Sequence, residues 1–150
     1  MKKFISFLLA LSICFGLTAC AGKIVLIEGA YYSDFDGIYV TIDSIEGEGK
    51  EQKLVTTWHN ETDYPVTFGL WYVIEYKNGD EWENVQIVDY AIPEIACMLE
   101  PNSKVPMSYA TKYFSFMRAG TYRLRSECYV QTGGESNTTA ILYTEFGVVK

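Results

Sequence analysis

From Gly37 to the end, apolar residues fall on every second position in short runs separated by turn residues. Ile38, Val40 and Ile42 alternate with Tyr39, Thr41 and Asp43, which predicts a strand over 38–45 with one buried face. Leu54 to His59 is rich in β-branched and aromatic residues. The longest run is Val66 to Tyr76, where Val66, Phe68, Leu70, Tyr72, Ile74 and Tyr76 form one apolar face and Trp71 and Val73 the other. Asn78-Gly79 after it predicts a type I′ hairpin returning over 81–88, because both central residues of that turn need positive φ. Further strands are predicted over 92–99, 105–109, 121–130 and 138–149, with Pro106 marking an edge. Tyr113 to Met117 is read as a single helical or 3₁₀ turn. No window carries a sustained helical stripe. Seven or eight strands of this kind predict an all-β fold, an antiparallel sandwich of about seven strands.

The first 36 residues break this rhythm. Lys2 and Lys3 precede an apolar run from Phe4 to Leu17, followed by Leu17-Thr18-Ala19-Cys20. A positive start, a short apolar stretch and small residues before a cut make an export signal. The run is shorter than the ~20 residues a helix needs to cross a bilayer. Its ending resembles the bacterial lipobox. That resemblance implies cleavage between Ala19 and Cys20 and acylation of the Cys20 thiol, since only a nucleophilic sulfur serves there. It implies a chain held by lipid on the extracytoplasmic face of a cell membrane. Ala21 replaces the Asp that retains Gram-negative lipoproteins at the inner membrane, and a Gram-positive membrane is the favoured setting. The chain then divides into a signal (1–19), a lipid-anchored linker (20–36) that reaches at most about 55 Å at ~3.3–3.6 Å per residue, and the sandwich domain (37–150). Within the linker, Ile24 to Ile27 is apolar enough for a first strand, while Gly29, Ser33, Asp34, Asp36 and Gly37 read as loop.

One segment narrows the topology. Arg118-Ala119-Gly120-Thr121-Tyr122-Arg123-Leu124 places a tyrosine just after a glycine turn, at the start of the next-to-last strand. This is similar to the tyrosine corner of immunoglobulin-like sandwiches, in which the phenol bonds back to loop backbone. Together with Trp58-His59-Asn60-Glu61-Thr62, Phe68-Gly69, Ile74-Glu75, Trp82 and Leu99-Glu100-Pro101-Asn102-Ser103, it makes residues 54–147 resemble the bacterial immunoglobulin-like domains of small lipoproteins and surface proteins. The resemblance implies a seven-stranded sandwich without catalytic activity, and it transfers no functional residues.

Charge and candidate chemistry refine the picture only a little. Once the signal is removed, ten basic side chains face nineteen acidic ones, a net charge of −9. This disfavours nucleic acid and anionic lipid surfaces as partners and permits a basic one. Cys97 and Cys128 are the two thiols left in the domain; they are either a disulfide, as exported proteins often form, or two buried free thiols packing as small hydrophobes. His59, the single histidine, has no metal-ligand spacing around it. No Gly-x-Ser-x-Gly elbow occurs, Asp34-Phe35-Asp36-Gly37 has too few ligands for a calcium loop, and no cofactor is expected. Carboxylate pairs such as Glu81 and Glu83 read as solvated surface.

The compositional excess is aromatic: twelve Tyr, eight Phe and three Trp. Strand propensity and core packing account for most of it. Parity nevertheless turns Trp71 outward, beside the outward Arg125 and Tyr129 of the next-to-last strand. These three predict an exposed aromatic–basic patch of the residue types that dominate binding hot spots. The function expected is therefore a membrane-tethered, non-catalytic module that binds a protein or cell-wall partner. The alternative is an acidic inhibitor or immunity-type lipoprotein that blocks a basic cell-wall enzyme.

Overall fold

The computed structural model describes residues 22–88, 93–114, 118–134 and 137–150. Among these residues nine strands run in chain order: β1 (Lys23–Ser33), β2 (Ile38–Glu46), β3 (Lys53–Asn60), β4 (Val66–Asn78), β5 (Glu81–Asn84), β6 (Ala96–Leu99), β7 (Ser103–Ala110), β8 (Gly120–Val130) and β9 (Thr138–Val149). One sheet has the order β1-β9-β8-β4-β5, with β6 also paired to β4; the other is β2-β3-β7. Every pairing is antiparallel. Among the described residues the only helical piece is a 3₁₀ turn at Gly49–Glu51.

The two sheets stack because alternate residues of each strand are apolar and only face-to-face packing removes them from water. Along β3 burial alternates without a break, with Leu54, Thr56, Trp58 and Asn60 inward. Trp58 stacks on Phe68 of the opposite sheet at 4.1 Å and donates its indole N–H to the Tyr109 hydroxyl at 2.8 Å. The Tyr72 hydroxyl donates across the sandwich to the Ala110 carbonyl at 2.5 Å. Buried aromatic rings thus supply area while their polar ends find partners. At one end of the sandwich Asn60, 1% exposed, gathers the loops by donating to the Tyr64 and Glu100 carbonyls. At the other, the Gln52 side chain accepts from the Ile24 amide and donates to the Gly22 carbonyl, tying the entry of β1 to the second sheet.

The tyrosine corner is present: the Tyr122 hydroxyl donates to the Arg118 carbonyl at 2.9 Å. Gly120 stands at φ +154, and a Cβ there would come within 2.7 Å of the Tyr76 ring, so the corner leaves no room for a side chain. Pro106 lies on β7, which pairs only with β3 and forms an edge.

Four expectations are corrected. The strand count exceeds seven because β4 carries two short partners, β5 and β6, on one side, and because β1 joins the sheet. The stretch expected to be linker is largely β1, paired with β9 from Lys23↔Val149 to Ser33↔Leu142. A bulge between Leu26 and Tyr31, with Gly29 at φ +68, gives part of it a loop-like sequence. The hairpin after β4 joins Asn78 to Glu81, so its central residues are Gly79 and Asp80. Gly79 has φ +63 and Asp80 no positive φ, the pattern of a turn with glycine first rather than type I′. Finally, the return over 81–88 is a strand only as far as Asn84. Of the helical turn expected over 113–117, residues 115–117 lie outside the described residues, and Phe114 forms an isolated bridge with Ile87.

Candidate binding surface

The outer face of the β1-β9-β8-β4 sheet is set by an irregularity in β4. Pairing with β8 runs Val66↔Val130 to Phe68↔Cys128, then resumes at Tyr72↔Ser126. Three residues, Gly69, Leu70 and Trp71, therefore stand opposite the single Glu127. The two extra residues preserve parity, and Phe68 and Tyr72 both point into the core. The bulge also pushes Trp71 into solvent at 52% exposure. Tyr129, paired with Thr67, is 50% exposed, and Ile95 just before β6 is 52% exposed. Gly69, Leu70, Trp71, Pro93, Ile95 and Tyr129 line a groove of about 720 Å³ between these side chains.

Arg125 does not join it. Its partner across β4 is Val73, and it does not line the groove. Its guanidinium is held by Glu127 at 2.7 Å. The expected three-residue patch is thus two aromatics in one groove, with the arginine about 14 Å along β8 from Tyr129 at ~3.4 Å per residue.

The arginine with the most aromatic company is Arg123, whose role the residue pattern did not reveal. It is ion-paired to Glu75, and both side chains are close to buried, at 12% and 10% exposure. Its guanidinium lies 4.1 Å from the Tyr143 ring centre and 4.2 Å from that of Trp82, and it also donates to the Tyr32 hydroxyl. Tyr32 stacks on Tyr143 at 4.7 Å. Burial pushes the Tyr32 phenol above its ordinary pKa. Rings on both sides, a carboxylate and a phenol use this cation inside the fold. A hint was present in the opposite charges of Glu75 and Arg123 on neighbouring strands, but Tyr32 lay in a stretch read as loop.

Across the two sheets, Tyr31 of β1 stacks on Tyr39 of β2, which stacks on His59 of β3, a file of rings with centroids 4.8 and 4.5 Å apart. The Tyr39 hydroxyl donates to Glu61 at 2.7 Å, and chiefly through that bond its pKa is pushed up to about 12. Burial lowers the pKa of His59, whose Nε2 lies 3.2 Å from the Thr41 hydroxyl. Among the described residues, no three His, Cys, Asp or Glu side chains gather as a metal site.

Cys97 and Cys128 are free. Both pair with Phe68, from opposite sides of β4, so two strand spacings of ~4.8 Å separate them. A disulfide needs Cα atoms within about 7 Å. The bridge alternative is therefore excluded by the strand between them. Burial first of all pushes the Cys128 thiol up to about 12, which leaves it without thiolate at neutral pH. Ala19 and Cys20 lie outside the described residues.

No curated protein and no solved structure matches the chain. A family model described as a bacterial Ig-like domain matches residues 34–145, a span that begins at the connection before β2 and ends in β9. With the stacked antiparallel sheets and the tyrosine corner, this match places the chain in the bacterial Ig-like domain family.

Proposed function

We propose that the protein is a lipid-anchored extracytoplasmic lipoprotein whose Ig-like domain binds a protein or cell-envelope partner and does no chemistry of its own. The observation that carries the binding part is the groove opened by the β4 bulge. A tryptophan and a tyrosine, each half exposed, flank it, and such residues supply most of the energy in protein interfaces. Neither is held in the core, so both are available to a ligand. The anchor rests on Leu17-Thr18-Ala19-Cys20 behind a charged and apolar leader. Affinity capture from native membranes tests the groove, comparing the wild type with Trp71→Ala, Tyr129→Ala. The expected result is loss of a partner from the variant eluate at unchanged thermal stability; an identical partner set in both overturns the groove reading.

A second reading draws on charge. Asp34, Asp36, Glu61, Asp63 and Glu100 are all exposed in the connections at one end of the sandwich. Such an end suits a basic cell-wall enzyme blocked by an acidic inhibitor, and steering of this kind weakens with salt. A complex that survives the groove substitutions and dissociates as salt rises supports this second reading over the first.

A further inference from the structure

A sheet edge offers unpaired backbone N–H and C=O groups to any extended chain, and folded proteins protect such edges with charge, proline or a bulge. Among the described residues, four of the five edge strands carry one of these. β1 is interrupted by the bulge after Leu26, and β2 by one after Ile42 that holds Asp43. β5 begins Glu81-Trp82-Glu83, and β7 carries Lys104 and Pro106. β6 is Ala96-Cys97-Met98-Leu99, without charge or proline, and it pairs with β4 alone among the described residues. Its one protection is its length of four residues. Met98 on it is 62% exposed, and Ile95, which leads into it, 52%.

This edge is continuous with the groove, which Ile95 and Ala96 line together with Trp71 and Tyr129. Met98, Thr67 and Tyr129 stand in one row across β6, β4 and β8, and Ala96 pairs with Gly69 in the next outward row. Those two small residues leave a trough between larger side chains. A long side chain from a strand laid against β6 can lie across them toward Trp71. The surroundings are acidic. Residues 60–72, 93–103 and 126–131 are gathered around β6 by the pairing of β4 and by the Asn60 bond to the Glu100 carbonyl. They include Glu61, Asp63, Glu94, Glu100 and Glu127 and no lysine or arginine. Of the cations that adjoin them in sequence, Arg125 is paired with Glu127, and Lys104 stands beside His59 on the other sheet.

We propose that β6 is a site of strand addition: an extended segment of a protein partner, apolar at alternate positions and flanked by lysine or arginine, pairs with its free edge and sends side chains into the Trp71–Tyr129 groove. The proposal rests on the reading of that groove as the binding surface and names what fills it. Main-chain hydrogen bonds along an edge give such a complex its affinity, and pockets for alternate side chains its specificity. The acidic setting selects a basic segment. It also argues against a second copy of this chain. Antiparallel pairing of two β6 strands sets Glu94 and Glu100 of each copy against those of the other, and like charges opposite one another oppose pairing.

The test selects a random library of peptides about ten residues long, enough to span β6 and its flanks at ~3.4 Å per residue, on the protein purified from its own membrane. Enriched peptides are then measured against the wild type, Met98→Lys, and Trp71→Ala, Tyr129→Ala. The Met98 side chain is exposed, so the lysine burdens the edge and not the core, and unchanged thermal stability checks this. The enriched peptides are expected to hold more lysine and arginine than the library and to lose affinity roughly tenfold in either variant. Hydrogen exchange of the 96–99 amides is expected to slow in the complex. Peptides that bind Met98→Lys as well as the wild type overturn strand addition. If the same peptides are lost with the groove variant, the groove reading stands; if they are indifferent to both variants, it falls too. A dimer that Met98→Lys dissolves overturns the proposal in favour of a second copy. No enriched peptide, with chitotetraose binding that the groove variant abolishes, overturns it in favour of a wall glycan.

Discussion

At the scale of single residues, two arginines two positions apart on β8 have opposite roles, and burial decides which. Arg125 and Glu127 form a pair with side chains 29% and 44% exposed, the kind of surface bridge that contributes at most ~1 kcal/mol. Arg123 and Glu75 are almost covered, so removing one charge strands the other in the fold. Arg123→Met is expected to cost roughly 3 kcal/mol, and Arg125→Met less than about 1 kcal/mol; urea denaturation of the two variants checks the contrast. Ser126 presents the reverse case, a buried hydroxyl without a hydrogen-bond partner. Ser126→Ala removes that unsatisfied group and is expected to stabilise the fold by about 1 kcal/mol in the same assay.

Titration adds a signed expectation. The folded pKa values of Tyr39 and Cys128 are both raised, to about 12. The folded chain therefore keeps protons that the unfolded chain releases earlier, from about pH 9 for a thiol and 10 for a phenol. The associated stability is complete below that range and is lost as pH rises through about 12. The urea midpoint is expected to fall between pH 9 and 11. At pH 8, a thiol reagent is expected to modify half-buried Cys97 and to reach Cys128 only after unfolding, with reduction leaving the thiol count unchanged. A rise in that count on reduction contradicts the free-thiol geometry.

At the scale of elements, the bulge of β4 connects fold to site. Because the bulge adds an even number of residues, the strand continues with Tyr72 and Ile74 inward. Deleting Leu70 alone would turn that whole half of the strand over and place Tyr72 and Ile74 in solvent. Deleting Leu70 and Trp71 together keeps parity and removes the tryptophan. The expected outcome is an unfolded single deletion and a folded double deletion, read by near-ultraviolet circular dichroism. Two-residue alternation made β2, β3, β4, β8 and β9 legible in the sequence, and the Gly120-Thr121-Tyr122 spacing pointed to the bond that Tyr122 makes to Arg118. Alternation does not report where extra residues enter a strand. The even-numbered bulge in β4 was invisible for that reason, and so was the displacement of Trp71 from Arg125. The bulge at Gly29 broke the pattern in β1 and made Tyr31 and Tyr32 look like loop, which hid both the aromatic setting of Arg123 and the file on Tyr39 and His59.

At the scale of the whole molecule, a strand order is what gathers distant residues, and no local pattern contains it. The cations that share one end of the sandwich span positions 23 to 150. In sequence they gave only a net charge, and that net charge argued against anionic lipid as a partner. Topology distributes that charge unevenly: Asp34, Asp36, Glu61, Asp63 and Glu100 share the end opposite the start of β1, where Lys104 is the one cation beside them among the described residues. The same assembly places the Trp71–Tyr129 groove on the side of the sandwich nearer that acidic end.

The proposed anchoring depends on where the mature chain begins and what its first residue carries. Intact-mass analysis of the protein purified from its own membrane, beside a Cys20→Ser variant, tests this most directly. The account predicts a wild-type chain that starts at Cys20 and bears the added mass of its acyl chains, with the variant unacylated and its signal uncut at that bond. A wild-type chain that starts elsewhere, or starts at Cys20 without acyl mass, contradicts it.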